Sequence, residues 1–334
     1  MSESSADDQR RDEQSAAESA RHGSVHDRLT HARDDLEHRV DRARDQFDAT
    51  NERIKKRTGR DLLAAIGVGV AAGGLVLVSL LFAKWIFAVL AIGIAGLAVF
   101  ELSRALQARG RRIDLIPQLV GSTLILASAY WLPSAAYWTA FFLVLAFIVV
   151  WRAVAQMASP DGRVYASIFS DIIVGCFITL YVPLLASSAL ALLKQPSGER
   201  WVMMFLLLVI VADTGAYASG LMFGKHKLAP RISPGKTWEG SAGALVVAVV
   251  IGAVAGYFLL EMPWWAGIIV AVPLVGSATL GDLAESMIKR DLGIKDMSSW
   301  LPGHGGVLDR LDSILPSAVV ALALFQLLSP LSGV

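Results

Sequence analysis

The chain has 334 residues, of which 54% are hydrophobic and 18% charged, and its formal net charge is +1. So apolar a composition excludes an ordinary soluble domain, and the near-zero balance of charge says little about partners, with no nucleic-acid partner expected. The fold class expected is an all-α polytopic membrane protein. A bilayer core takes roughly 20 apolar residues per helix, runs of that kind recur, and the alternation of a β-barrel is absent.

In chain order, residues 1–60 read as a polar tail on the cytoplasmic side. Residues 1–25 are rich in Ser, Ala, Asp, Gln and Arg and are expected to be disordered. From Leu29 the spacing turns heptad-like, with Leu29, Leu36 and Ala43 alternating with Val40, Phe47 and Ile54. A short coiled coil or a helix lying on the membrane would fit, but the charged neighbours favour a solvated tail with transient helix. No early apolar core marks a signal peptide.

Residues 61–334 form the membrane domain. About nine spans are expected, near 62–83, 85–103, 115–132, 136–152, 167–193, 201–223, 240–260, 264–281 and 314–333. Basic residues crowd alternate connections: Lys55, Lys56, Arg57 and Arg60; then Arg104, Arg109, Arg111 and Arg112; then Arg152 and Arg163. The pattern continues with Lys225, Lys227, Arg231 and Lys236, and with Lys289, Arg290, Lys295 and Arg310, while the opposite connections hold Lys84, Lys194 and Arg200. The positive-inside rule then puts the N-terminus in the cytoplasm, the C-terminus outside, and both polar motif loops on the cytoplasmic face. Cys176, the sole cysteine, lies in the fifth span and excludes an intramolecular disulfide or a cysteine metal cluster. Ala216, Gly220 and Gly224 recur every four residues in the sixth span, which allows close helix approach. Trp131, Trp138, Trp201, Trp264 and Trp265 lie near span ends and read as interfacial anchors.

Charged residues and glycines are densest from Ser286 to Asp312, between the eighth and ninth spans. Asp282, Glu285, Ser286 and Lys289 fall at i, i+3, i+4 and i+7, so a helix running on from the eighth span presents them on one face. Asp309, Asp312 and Ser313 repeat the first part of that spacing at the start of the ninth. Two helix ends bearing carboxylates suit a hard divalent cation, and Mg²⁺ is the natural choice. Between them Gly303-His304-Gly305-Gly306 offers backbone N–H groups to an anion, with Lys289, Arg290, Lys295 and Arg310 nearby; phosphate fits best. A second group begins at Asp213, midway along the sixth span, where a carboxylate costs several kcal/mol unless it is paired, solvated or metal-bound. Tyr217 lies one turn away. The loop that follows carries Lys225, Lys227, Arg231, Ser233, Lys236, Thr237 and Glu239. Gly235-Lys236-Thr237 is similar to the end of a P-loop, but the upstream Gly and a preceding strand are missing, and a Walker fold is rejected. His226 and His304 are isolated loop histidines that suit a solvated position or a role as base or ligand. Glu101 and Asp171 sit near cytoplasmic span ends, where snorkelling or a lone hydrogen bond suffices to explain them.

Ser286-x-x-Lys289-Arg290, Lys295-Asp296 and His304-Gly305-Gly306-x-x-Asp309-Arg310-x-Asp312 together resemble the signature of the phosphatidate cytidylyltransferases, also called CDP-diacylglycerol synthases. Asp213-Thr214-Gly215-Ala216-Tyr217 and Ser233-Pro234-Gly235-Lys236-Thr237-Trp238-Glu239-Gly240 resemble that family's second characteristic region, with Gly235 where some members have Lys. The resemblance covers residues 210–313 by motif and about residues 60–334 by hydropathy. It implies a Mg²⁺-dependent homodimer in a bacterial inner or plasma membrane, taking CTP and phosphatidate to CDP-diacylglycerol and pyrophosphate. Cytidine as the base comes from the resemblance alone. By matching positions, Asp282 and Asp309 are the first metal ligands expected, with Asp213 a further one, and Asp213, Asp282, Lys289, Asp309 and Asp312 the catalytic set. Lys225, Lys227, Ser233, Lys236, Thr237, Ser286, Arg290, Lys295, His304, Gly305, Gly306 and Arg310 would bind substrate. Two other readings stay open: a CTP-dependent polyprenol or phytol kinase, and a transporter using Asp213 as an intramembrane ion site.

Overall fold

The computed structural model describes residues 62–158, 162–298, 300 and 305–333. The readings made on the tail, residues 1–60, and on Gly303 and His304 fall outside the described residues. By its contacts the chain divides into residues 1–66 and residues 67–334, and the packing that follows is that of the second unit.

The helices are α1 (Leu62–Phe82), α2 (Lys84–Ala108), α3 (Leu115–Trp131), α4 (Ser134–Ala158) and α5 (Tyr165–Thr179), which runs through a π turn (Leu180–Leu184) into α6 (Leu185–Leu193). After α7 (Gly198–Phe223) come two short strands, β1 (Lys227–Ala229) and β2 (Ser233–Thr237). The chain continues with α8 (Trp238–Leu259), α9 (Trp264–Asp291), the single turn α10 (Leu308–Leu311) and α11 (Ile314–Leu328). Every segment expected to span coincides with a helix. Among the described residues, 7 helical stretches are long and apolar enough to cross a membrane, while Gly69–Phe82 and Leu115–Trp131 are shorter apolar helices. The protein is a polytopic helical membrane protein. The π turn falls at Pro183, which has no N–H to give; widening the helix there accommodates the missing bond without ending the span.

Close helix approach is achieved along α7 and α8 by the small residues of the four-residue repeat, Ala216, Gly220 and Gly224, which face Thr237 and Gly240, with Gly215 joining them. A Cβ on Gly215 would stand 3.3 Å from the Ala244 Cα, and one on Gly220 would stand 3.2 Å from Thr237 Oγ1. With no hydrophobic force between helices in lipid, this tight contact is what holds them. Thr237 Oγ1 in turn accepts the Gly240 N–H at 3.1 Å and caps α8. Trp201 departs from its expected role as an anchor. It is 1% exposed and meets Phe325 edge-on with centroids 5.4 Å apart, so it is a core residue; Trp131, Trp138, Trp264 and Trp265 are exposed.

The stretch expected to be a plain loop after α7 is an antiparallel hairpin, with Lys227 opposite Thr237 and Ala229 opposite Ser233. Gly235-Lys236-Thr237 therefore ends a strand of a two-stranded hairpin that leads into α8. This agrees with rejecting a Walker fold, which needs a parallel sheet beneath the phosphate loop.

Candidate active site

α9 continues beyond its apolar part to Asp291, so the spacing read at Asp282, Glu285, Ser286 and Lys289 is helical. Asp282 and Lys289 reach a cleft of about 500 Å³ that is also lined by Asp213 and Tyr217 of α7, Ser233, Lys236 and Thr237 of the hairpin, and Asp309, Arg310, Asp312 and Ser313. The two sequence segments read as separate constellations thus meet in one place. Lys236 Nζ lies 2.7 Å from Asp282 Oδ2 and 3.4 Å from the Thr279 carbonyl oxygen, which it also approaches as donor. The other Asp282 oxygen accepts the Ser286 hydroxyl at 3.2 Å. Lys289 Nζ lies 3.0 Å from Asp309 Oδ1 and 3.4 Å from Glu285 Oε2. Asp213 Oδ1 accepts the Ser313 hydroxyl at 3.4 Å. Each of these pairs joins acid to partner across a half-buried wall, where stripping one member leaves a charge or lone pair poorly compensated.

The motif loop is organised differently from its sequence reading. Asp309 is 7% exposed and accepts Met297 N–H at 3.0 Å and Gly306 N–H at 2.7 Å through Oδ2; its Oδ1 takes Lys289 and, at 3.3 Å, Met297 again. The Gly306 N–H expected to face an anion is therefore spent on an internal carboxylate. Gly305 sits at φ +81°, and a Cβ on it would stand 2.8 Å from Asp309 Oδ2; one on Gly306 would stand 2.8 Å from Glu101 Oε2. The paired glycines do allow close approach to negative charge, but the charge is the protein's own.

Other expected site residues lie off the cleft wall. Lys225, Lys227 and Lys295 are exposed, and Ser286 acts through Asp282. Arg290 Nε donates to the Ile232 carbonyl at 3.1 Å, tying α9 to the hairpin turn. His226 Nδ1 is 2.6 Å from Glu239 Oε1, and Glu239 also accepts the N–H groups of Lys225 and His226. That pairing gives His226 a structural duty at the start of α8. Asp171, 2% exposed, makes more than a lone hydrogen bond: it accepts Arg112 N–H at 3.1 Å and Arg163 Nη1 at 2.7 Å, with Arg152 at 4.0 Å. Thr279, Ser241 and Asp296 line the cleft without having been singled out as site residues. Asp296 belongs to the Lys295-Asp296 motif, so its sequence context points to the site; Thr279 contributes through its carbonyl, which no side-chain pattern reveals.

Among the described residues, no group of three or more His, Cys, Asp or Glu is arranged to hold a metal ion. A Mg²⁺ site completed by substrate needs few protein ligands, because Mg²⁺ keeps several waters and is usually bound by one or two carboxylates plus phosphates. Asp213, Asp282 and Asp312 offer such oxygens at the cleft wall. Asp309 suits the task less well in this arrangement, because each of its oxygens already has two donors.

A family model described as the cytidylyltransferase family matches residues 63–328. The phosphatidate cytidylyltransferase of Mycobacterium leprae (strain TN) is 39% identical over 280 residues, covering 81% of this chain and 90% of its own. That of Mycobacterium tuberculosis (strain ATCC 25618 / H37Rv) is 36% identical over 277 residues, covering 81% and 84%. The phosphatidate cytidylyltransferase of Pseudomonas aeruginosa PAO1 is 35% identical over 284 residues, covering 79% and 95%. Since the family match takes in every element that lines the cleft, the resemblance read from the motifs holds, and the chain belongs to the cytidylyltransferase family alongside the phosphatidate cytidylyltransferases.

Proposed function

We propose that this protein transfers the CMP moiety of CTP to phosphatidate, giving CDP-diacylglycerol and pyrophosphate, and that the cleft between α7, the hairpin, α9 and α10 is where it does so. The observation that carries this is the meeting of residues from two distant segments, cations and carboxylates together, in one cleft of a polytopic membrane protein of this family. A phosphate oxygen of phosphatidate attacks the α-phosphorus of CTP in line. The new P–O bond forms as the bond from that phosphorus to the bridging oxygen breaks, and the electron pair departs with pyrophosphate. The attacking phosphate is already anionic at neutral pH, so no general base is assigned; the chain has to align two polyanions and offset their repulsion. Lys236, Lys289 and Arg310 supply positive charge at the cleft wall, and Asp282 and Asp309 hold the two lysines in place. Ser233 and Thr237 would donate to phosphate oxygens. Lys225, Lys227, Arg290 and Lys295 would act at longer range as a basic rim, and Gly305 and Gly306 would serve by letting Asp309 and Glu101 hold the motif loop.

Mg²⁺, when bound, would further neutralise the triphosphate, held by Asp213, Asp282 and Asp312; Asp309 would have to release its present donors to join them. Nine crossings, with α1 and α3 spanning as well, would place the N-terminus and the cleft on the cytoplasmic side, as the basic residues argue. A homodimer is carried by the family resemblance. The decisive assay offers the purified protein in detergent labelled CTP, phosphatidate and Mg²⁺ and identifies both products. CDP-diacylglycerol with pyrophosphate is expected; CDP with a phosphorylated lipid alcohol would establish a kinase instead.

A further inference from the structure

Glu101 lies on α2, does not line the cleft and belongs to none of the motifs, yet it is 2% exposed and heavily engaged. Its Oε1 accepts Val307 N–H at 3.0 Å and the Ser298 hydroxyl, and its Oε2 accepts Leu308 N–H at 2.9 Å. Ser298 stands before the glycine-bearing stretch of the motif loop and Val307 after it, so one carboxylate from a distant helix ties both shoulders. Asp309 does the same from the loop's own side, through Met297 and Gly306. The two carboxylates divide the successive amides of the turn between them: Gly306 goes to Asp309, Val307 and Leu308 to Glu101. Gly306 is what admits Glu101, since a Cβ there would stand 2.8 Å from Oε2. The turn so fixed carries Asp309, which holds Lys289, and Arg310, which lines the cleft.

We infer that Glu101 is a positioning residue for cytidylyl transfer: by anchoring Ser298, Val307 and Leu308 it sets where Asp309, Lys289 and Arg310 stand against the substrates. The inference rests on the functional reading above. The bland alternative is a carboxylate that merely satisfies buried amides and serves general stability. Glutamine separates the two, because it keeps the shape and one acceptor but turns an NH₂ toward an N–H on the other side. A loosened anchor should lower kcat more than it raises KM, since displacing catalytic groups by about 1 Å can cost about 10²-fold in rate.

The test uses the full chain in detergent as wild type, Glu101→Gln, Glu101→Ala and Ser298→Ala, with kcat, both KM values and amide hydrogen exchange measured on the same samples. Glu101→Gln is expected to lower kcat about tenfold or more, to leave each KM within about threefold, and to speed exchange selectively at residues 306–308. Ser298→Ala, which removes one anchor of three, should show a smaller change of the same kind. Wild-type kcat and exchange in Glu101→Gln overturn the inference. So does exchange that quickens equally in every helix while activity falls only with the folded fraction. If Glu101→Ala does not fold, Glu101→Gln alone decides. Wild-type protein that makes no CDP-diacylglycerol overturns the functional reading instead, and the exchange data still decide the anchoring.

Discussion

Gly281 sits beside Asp282 where α9 crosses the junction of α10 and α11, and replacing it with alanine tests whether that crossing sets the cleft. A Cβ there would stand 2.5 Å from Pro316 Cγ and press on the carbonyl oxygen of Asp312. Carbon pairs settle at about 3.5–4.0 Å, so the elements must part by about 1 Å. Neither neighbour can swing away: one is a proline ring and the other is backbone. Overpacking of this kind costs about 1–3 kcal/mol, while alanine's better helix propensity returns about 1 kcal/mol, so the net loss of stability is small. The rate should suffer more. The displacement falls between Asp282 and Asp312, both of which line the cleft, and about 1 Å there is enough to lower kcat about 10- to 100-fold. Gly276, on the same helix, has nothing within 4 Å of its would-be Cβ, so Gly276→Ala is the control and should match wild type in rate. The assay is the initial rate of CDP-diacylglycerol formation in detergent, with thermal unfolding followed in parallel. Equal rates for Gly281→Ala and Gly276→Ala would refute the reasoning, because the contact would then be yielding without moving the site.

Asp282→Ala should abolish turnover in folded protein, since it strips Lys236 of its 2.7 Å partner and removes a proposed metal ligand; near-normal rates at saturating Mg²⁺ would take Asp282 off the ligand list. Asp213→Asn keeps shape and removes charge, and a large loss of activity with preserved expression is expected. A fully active and more thermostable Asn variant would show instead that the charge within the span is only a liability. Deleting residues 1–58 should leave turnover intact, because the cleft is lined from Ala212 onward; a stable, membrane-inserted but inactive truncation would bring the tail into the active site.

The spans were readable because burial in lipid acts on every residue of a helix, so 20-odd positions report one environment. The helical set from Asp282 to Lys289 was readable for a related reason: 3.6-residue periodicity is local, and α9 keeps it past the apolar part. Glu101 had no such signal. It meets Val307 from 206 positions away, and a single acid near the end of an apolar helix looks the same whether it snorkels or anchors a loop. Trp201 failed for a similar reason, since proximity to a span end does not reveal which side of the helix faces lipid. The glycines at 305 and 306 were legible as places of close approach, but a missing Cβ says nothing about what approaches.

The same limit governs the charges. Sequence put Asp282, Lys289 and Asp309 in one acidic and basic cluster and Lys236 in another, without saying which acid serves which cation. The structure pairs Lys236 with Asp282 and Lys289 with Asp309, each acid coming from a different element than its lysine. Lysine is a flexible point charge that would otherwise sample many rotamers. Holding each ammonium against a carboxylate fixes its direction before a polyanion arrives, so less ordering remains to be done when one binds. Under this reading the carboxylates have two uses that need not conflict: they orient the cations before substrate binds, and Asp282, with one oxygen on Lys236 and the other on Ser286, is placed to exchange those partners for metal once phosphate takes up the lysine. Asp309 differs, because besides Lys289 it holds the backbone amides of Met297 and Gly306, which no phosphate can draw away. Its place is in the architecture of the loop, which is where Glu101 meets it.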